Sequence, residues 1–235
     1  MKLESRSELL SIIIPTRNDG TSPQRMLDEL DIIIKQQKLS VQVIVVDDSD
    51  TPSPFRVEEA FGFRLEVYHR TSGKGFGSAI RYGISKATGE YVMIMMGDHS
   101  DDPLDLPRLV DRLVDGFDLV IGSRFVSGGR VTGYPAGKLL ANRLFNYSSR
   151  VLFRAGVSDV STSFKIIRKS LLHQLKIQSN GFEISPEVTL RCIRRGARTC
   201  EVPVSWTQRK EGSSRFNLRR QWVSYLRVLL SAGLT

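Results

Sequence analysis

Short apolar runs alternate with helical spacing through the first half of the chain. Leu9 to Pro15 (LLSIIIP), Val41 to Val46 (VQVIVV) and Tyr91 to Met96 (YVMIMM) are almost uninterrupted. Strands covered on both faces read this way, because neither face can carry polar side chains. Arg64 to His69 and Asp118 to Gly122 read as further strands. Between them, Met26 to Gln37 gathers Met26, Leu27, Leu30, Ile33 and Ile34 on one helical face. Gly77 to Ala87 does the same with Ala79, Ile80, Gly83, Ile84 and Ala87, and Leu104 to Leu113 follows Pro103 as a third helix. Strands alternating with helices predict right-handed crossovers and a doubly wound α/β sheet.

The second half is less regular. Lys138 to Phe153 reads as an amphipathic helix, Ser163 to Arg168 and Thr199 to Trp206 as strands, and Pro186 to Arg195 as a helix. Leu218 to Leu230 places Leu218, Trp222, Tyr225, Leu226 and Leu229 on one face, with Arg219, Arg220 and Arg227 elsewhere. That pattern suits a basic helix on a membrane surface, and equally a helix docked on the core.

In open α/β sheets, ligands bind beyond the carboxyl ends of the strands. Three predicted strands end in polar sequence suited to that place: Pro15-Thr16-Arg17-Asn18-Asp19, Asp47-Asp48-Ser49-Asp50, and Asp98 to Asp102. In GDHSDDP, the carboxylates of Asp98, Asp101 and Asp102 follow a buried strand. They repel one another unless a cation stands between them, and Mg²⁺ or Mn²⁺ takes such oxygen ligands together with a diphosphate. The alternative is that Asp101-Asp102-Pro103 merely caps the next helix. Asp102 fits that role, but capping needs only one of the three.

Charge divides the chain. Residues 1–123 hold 14 Lys and Arg against 20 Asp and Glu, a net of −6, while residues 124–235 hold 20 against 5, a net of +15. The acidic half suits a cation. The basic half suits phosphates or an anionic membrane surface. Nucleic acid ranks last, because no helix-turn-helix, RNP-like or zinc-finger pattern accompanies the charge. The length of 235 residues fits one domain or one domain with an appendage. Cys192 and Cys200 lack metal-ligand spacing and read as small packed groups of a reducing compartment. Glu4 and Glu8 precede any apolar run, unlike a signal peptide, and no stretch reaches the roughly 18 apolar residues of a membrane span.

Taken in order, the motifs resemble family-2 glycosyltransferases, and within them the polyprenyl-phosphate (dolichol-phosphate mannose synthase-like) branch. SIIIPTRND resembles the opening strand and PTYNE-type loop, with Arg17 and Asp19 where Tyr and Glu are usual. VIVVDDSD resembles the second strand, and GKGFGSAIRYGISKATGEYV the GKGxA-type segment. GSRFVSGG, DVSTSFKIIRK and GFEISPEVTLRCIRRGARTCEVPVSWTQRKEGSSR resemble later blocks, so the likeness runs from about Leu10 to about Tyr225. One departure stands out: the usual DxD metal motif, often DADxQHP in this branch, reads GDHSDDP here.

The resemblance implies a GT-A-type, Rossmann-like mixed sheet with helices on both faces, and inverting transfer from a nucleotide sugar. It implies metal binding by Asp98 and Asp101. It implies donor contacts by Pro15, Arg17, Asp19, Asp47, Asp48, Lys74, Asp98 and Ser214. Arg209, Ser214 and Arg215, in QRKEGSSR, would close over the diphosphate, and Asp98, Arg209 and Arg215 would carry catalysis. Arg124 and Lys138 match positions that hold the acceptor phosphate. A lipid phosphate is already an anion and needs cations more than a base. A hydroxyl acceptor would need a base, with Glu183 and Glu187 as candidates. His69, His99 and His173 are too scattered for a shared metal site.

The expected organisation is a catalytic domain over 1–217, with 1–123 for donor and metal and 124–217 for acceptor. An amphipathic basic helix over 218–235 follows. The expected reaction is metal-dependent hexose transfer from a GDP-mannose or UDP-glucose type donor to a polyprenyl or dolichyl phosphate. It is placed at the cytoplasmic face of a membrane, with peripheral contact through the basic segment after residue 207. The alternatives are transfer to a saccharide or protein hydroxyl, or a catalytically silent membrane-associated binding module.

Overall fold

The structure is a computed structural model that describes residues 9–53, 55, 61–209 and 218–234, apart from the side chains of 218–220 and 232–234. In chain order the first half runs β1 (Leu10–Thr16), α1 (Ser22–Gln37), β2 (Val41–Asp47), β3 (Arg64–His69), α2 (Phe76–Lys86), β4 (Tyr91–Ile94), α3 (Leu106–Val114) and β5 (Leu119–Ser123). The second half runs β6 (Arg130–Thr132), α4 (Ala136–Phe153), β7 (Lys165–Arg168), α5 (Lys169–Leu172), α6 (Ile184–Arg194), β8 (Thr199–Pro203), β9 (Ser205–Thr207) and α7 (Leu218–Leu234).

Seven strands form the main sheet in the order β3-β2-β1-β4-β7-β5-β8, and β6 pairs with β9 in a small second sheet. β3, β2, β1 and β4 are parallel; β7 runs antiparallel to both neighbours, and β8 is parallel to β5. Every residue of β1, β2, β4 and β5 is buried, which is why their sequences show continuous runs instead of alternation. Alternation decides which layer each side chain joins. Ile12, Ile14, Val43 and Val45 pack under α1 and α3, while Ile13, Ile44 and Val46 pack with α2 and α6. The edge strand β3 is only partly covered.

Helix starts follow local chemistry. Asp102 accepts a hydrogen bond from the Leu104 N–H at 3.0 Å, capping a 3₁₀ turn over Pro103–Asp105 that leads into α3. The capping role expected of Asp102 is therefore present.

Three sequence expectations change. Thr199 to Trp206 is two strands: at Val204 the chain leaves β5 and joins β6, the Val204 N–H reaching Ser123 O and the Arg130 N–H reaching Val204 O. β6 and α5, three and four residues long, carry too little pattern to announce themselves. The face assigned to α7 is also shifted. Val228 is buried and Tyr225 and Leu229 are half-buried, but Trp222 and Leu226 stand exposed. The helix docks through Tyr225, whose ring meets Phe145 of α4.

Candidate active site

β2, β1 and β4 lie side by side and parallel, so the three polar segments that follow them converge on one rim. The Asp48 N–H donates to Thr16 O and the Gly97 N–H to Pro15 O, tying the three strand ends together. A Cβ at Gly97 would stand 2.9 Å from Pro15 O, so only glycine lets the end of β4 lie this close to β1. A cavity of about 370 Å³ opens at this rim. Pro15, Arg17, Asp19, Asp48, Asp98, Asp101, Arg124, Lys138 and Arg209 all line it. Asp47 and Lys74 do not, and Ser214 and Arg215 lie outside the described residues.

One side of the cavity is acidic. Asp19 accepts from Thr16 Oγ1 and from the Arg17 N–H, both at 2.9 Å, and its other oxygen pairs with Arg209. Arg209 also reaches Asp98, Nε to Oδ2 at 3.4 Å. The remaining Asp98 oxygen takes the Ser100 N–H at 3.1 Å. Asp101 is buried and accepts from the Met96 N–H at 2.9 Å. Burial pushes its carboxyl up to about 7, with the Met96 N–H opposing and the Asp98 charge adding. Between them, His99 takes a left-handed backbone (φ 59°) and turns its ring to Glu29 at 3.0 Å.

The second strand end is held more tightly. Asp48 lines the cavity but accepts from Arg70 Nε at 2.7 Å, from Arg70 Nη2 at 2.6 Å and from the Gly75 N–H at 2.8 Å. Asp47 is buried behind it, taking the Ser49 and Ser53 N–H groups at 2.9 and 2.8 Å. Burial pushes Asp47 up, but those hydrogen bonds outweigh it and hold the carboxyl below its ordinary value. Lys74 donates to Ser49 O at 2.7 Å, clasping the same loop.

A second group of lining residues, from the end of β5 and from α4, is cationic and polar. Arg124, at the end of β5, donates from Nε to Asp159 at 2.7 Å and from Nη2 to Asp159 at 2.9 Å and Ser161 at 3.0 Å. Asp159 is fully buried; burial pushes its carboxyl up, and the Arg124 charge more than reverses this. Asn142 and Asn146 of α4 donate to the same Ser161 hydroxyl at 3.0 and 3.1 Å. Lys138 and Asn142 face the cavity from α4, and the Tyr134 and Trp206 rings pack 4.8 Å apart beside them. Tyr225 of α7 completes the wall.

Neither glutamate named as a candidate base lines the cavity. Glu187 is buried, takes the Gln178 and Ser179 N–H groups and pairs with Arg191 at 3.0 Å, a structural charge. Glu183 accepts from the Gly181 N–H. Behind the site, fully buried Lys165 donates to Ser185 O at 2.9 Å and to Thr189 Oγ1, and burial pulls its ammonium down to about 7.

Asp159, Ser161, Asn142, Tyr134, Trp206 and Tyr225 were not assigned to the site from sequence. Asp159 had a signal, because it opens the DVSTSF block. The others come together only through the fold.

The family model described as glycosyl transferase family 2 matches residues 11–176. Polyprenol monophosphomannose synthase of Mycolicibacterium smegmatis is 30% identical over 216 residues, covering 88% of this chain and 80% of that protein. Dolichol-phosphate mannosyltransferase of Pyrococcus furiosus is 26% identical over 210 residues, covering 88% of this chain but 58% of that protein. This chain thus spans little more than half of the second relative. A crystal structure of glucosyl-3-phosphoglycerate synthase from Mycobacterium tuberculosis, in complex with Mn²⁺, UDP and glucosyl-3-phosphoglycerate, aligns with a TM-score of 0.67 at 17% identity. That alignment covers 96% of this chain and 80% of the other, and shows a shared fold.

Proposed function

The chain belongs to glycosyl transferase family 2, and from that premise we propose that it transfers a hexose from a nucleotide sugar to a polyprenyl phosphate with inversion at the anomeric carbon. It is a glycosyltransferase with a GT-A-type fold. The relatives named for polyprenol and dolichol phosphate support the acceptor class. The observation that carries the reading is a single cavity lined by two groups of opposite charge: Asp19, Asp48, Asp98 and Asp101 from the segments after β1, β2 and β4, and Arg124 and Lys138 from the end of β5 and from α4.

The poles suit the two substrates. Asp98 and Asp101 offer hard oxygen donors, and no group of three His, Cys, Asp or Glu able to hold a metal occurs among the described residues. Such a pair fits Mg²⁺ or Mn²⁺ held jointly with a substrate diphosphate, not a closed protein cage. A bound ion there would neutralise charge growing on the leaving nucleoside diphosphate. Arg209 already bridges Asp19 and Asp98 and can turn its guanidinium to the diphosphate oxygens. Arg215 and Ser214 are proposed to assist it.

At the other pole, Lys138 and Arg124 would hold the acceptor phosphate. One phosphate oxygen attacks the anomeric carbon as the bond to the diphosphate oxygen breaks, so no proton need be removed. A hydroxyl acceptor would need a base here. The carboxylate nearest the cationic pole, Asp159, is spent on Arg124, and Glu183 and Glu187 stand off the cavity. This favours phosphate over hydroxyl. A lipid acceptor places the reaction at a membrane, and free Cys192 and Cys200 suit its cytoplasmic face. No helix among the described residues is long and apolar enough to cross a membrane.

The test is label transfer. Purified protein, Mn²⁺, and GDP-mannose or UDP-glucose labelled in the sugar are incubated with polyprenyl phosphate in detergent. The expected result is label extracted into organic solvent only when polyprenyl phosphate is present. Label moving to a saccharide or peptide instead would establish the hydroxyl reading, and no turnover of any donor would leave a binding module.

A further inference from the structure

Strand β8 carries a charge where alternation calls for an apolar side chain. Its Glu201 is the register partner of Ile121, which is fully buried in the layer that also holds Val157 and Val160. Paired positions of neighbouring strands share a face, so Glu201 faces that layer. It is only partly exposed. A carboxylate in such a place needs partners, and Glu201 finds them in two backbone N–H groups. Oε2 accepts from Ser158 at 2.8 Å and Oε1 from Asp159 at 3.0 Å. Both oxygens are used, on successive residues. A carboxylate can fasten two adjacent N–H groups in this way, whereas a carboxamide offers a single acceptor oxygen.

The second of those N–H groups belongs to Asp159, the counter-ion of Arg124. With its backbone fastened to β8, Asp159 turns one oxygen to the Arg124 N–H and Nε at 3.2 and 2.7 Å, and the other to Nη2 at 2.9 Å. That other oxygen also takes the Ser161 hydroxyl at 3.0 Å and the Thr162 N–H at 3.1 Å. The carboxylate therefore cannot turn without breaking several bonds. The main chain before Arg124 is held as well, the Gly122 N–H donating to Phe164 O at 2.9 Å and Ser123 O accepting from Val204 at 3.1 Å. With the backbone fixed, Asp159 sets the direction of the guanidinium, and Glu201 sets the place of Asp159. Nη1 is left as the nitrogen that neither Asp159 nor Ser161 engages. Arg124 lines the cavity, whereas Glu201 stands behind it.

We propose that Glu201 is a positioning residue for the acceptor phosphate: from β8, outside the cavity, its carboxylate sets the place of Asp159 and through it the direction of Arg124. The proposal rests on the reading of Arg124 as a ligand of that phosphate. A binding group must be held within about 0.5 Å of its productive place, and a side chain with as many rotors as Arg does not hold itself there. The chain of contacts from Glu201 to Asp159 to Arg124 supplies that restraint without placing a second carboxylate against the incoming anion. A tie that served the fold alone would leave the affinity for either substrate unchanged.

The test is steady-state kinetics of the full chain with a water-soluble, short-chain prenyl phosphate and labelled GDP-mannose or UDP-glucose, well below the melting temperature of every variant. Glu201→Ala should raise the Michaelis constant for the prenyl phosphate about tenfold or more, the loss of one charge-assisted contact. Glu201→Gln keeps one acceptor oxygen and should recover part of that loss, leaving a rise of at least about threefold. The constant for the nucleotide sugar should stay within about twofold. Damage to the fold alone lowers the amount of active protein and so the maximal rate, with both constants unmoved. That result overturns the proposal, as does a rise in the donor constant. A second arm places Glu201→Gln in an Arg124→Lys background, which keeps a charge for Asp159 but not the planar fork that Asp159 orients. There Glu201→Gln should lose its effect on the acceptor constant, and a full effect overturns the proposal. Where Glu201→Ala does not fold, the Gln variant and this cycle carry the decision. A parent that transfers nothing to prenyl phosphate fails the transferase reading and the proposal with it. A parent that transfers, with variants that keep its acceptor constant, fails the proposal alone.

Discussion

The two poles of the cavity treat charge in opposite ways. At the cationic pole, Arg124 is matched by one buried carboxylate, Asp159, in a two-point pair at 2.7 and 2.9 Å. At the acidic pole, Asp19 and Asp98 share Arg209, while Asp101 has no ion-pair partner among the described residues and burial drives it up to about 7, with the Arg124 charge opposing. A matched pair is a fixed piece of framework, whereas an excess of one sign is an invitation to a ligand. The contrast predicts that breaking the matched Arg124–Asp159 pair damages folding and that changes among the acidic-pole carboxylates damage binding.

The largest effect is expected at Asp159. Asp159→Ala leaves the Arg124 guanidinium buried without its counter-ion, which costs about 3–5 kcal/mol. Chemical denaturation should report it. The pH dependence has a definite sign. The folded carboxyl lies below its ordinary value, so its stabilisation is present above the unfolded pKa near 3.9 and is lost as pH falls through the folded value. Parent and variant should therefore converge in strong acid. Equal stability at neutral pH would break the contrast from the framework side.

Asp98→Asn should leave the melting temperature near that of the parent and lower turnover by about 10²–10³-fold, the range seen when one stabilising group of a transition state is lost. Binding of Mn²⁺ in the presence of nucleoside diphosphate should be lost with it. A metal titration in which the variant keeps near-parental turnover would remove Asp98 from the site. Arg209→Ala sharpens the same side. Turnover should fall by about ten- to a hundredfold, the value of a charge-assisted hydrogen bond, with little change in nucleotide binding. A change confined to the Michaelis constant would make Arg209 a binding group only.

Lys165 offers a separate, pH-dependent effect behind the cavity, where the Asp159 and Arg124 charges also act on it. Its ammonium is pulled down to about 7 in the fold, so the unfolded chain binds the extra proton from there up to about 10.4. The stability of the parent relative to Lys165→Met should rise across that window, by about 1.4 kcal/mol per pH unit at most. A flat difference between pH 7 and 10 would show that Lys165 stays charged.

Much of this was legible in the chain itself, for physical reasons. β1, β2 and β4 are buried on both faces, and complete burial forces an unbroken apolar run. Their ends meet at one rim because parallel neighbours must end together, so Asp19, Asp48, Asp98 and Asp101 could be grouped before any coordinates. What stayed hidden depends on tertiary partners. The pairing of Arg209 with Asp19 spans 190 residues and leaves no local trace. The orientation of α4 was hidden too. Both of its faces satisfy a helical period, and the hydrogen bonds of Asn142 and Asn146 to Ser161, with that of the Val160 N–H to Asn146, hold the polar face inward. Asp47 shows a second dependence on tertiary partners. Its oxygens take the Ser49 and Ser53 N–H groups, and its neighbour Asp48 lines the cavity.

The central claim is that one cavity binds donor and acceptor at separate poles. Its most direct test is substrate-resolved kinetics of Lys138→Ala, a side chain that lines the cationic pole from α4. Loss of one charge-assisted contact to phosphate should raise the Michaelis constant for polyprenyl phosphate about tenfold or more. The constant for the nucleotide sugar should stay within about twofold, because a group that does not touch a ligand leaves its binding nearly unchanged. A rise in the donor constant with the acceptor constant unmoved would contradict the account, because it would put the nucleotide sugar where the lipid phosphate is placed.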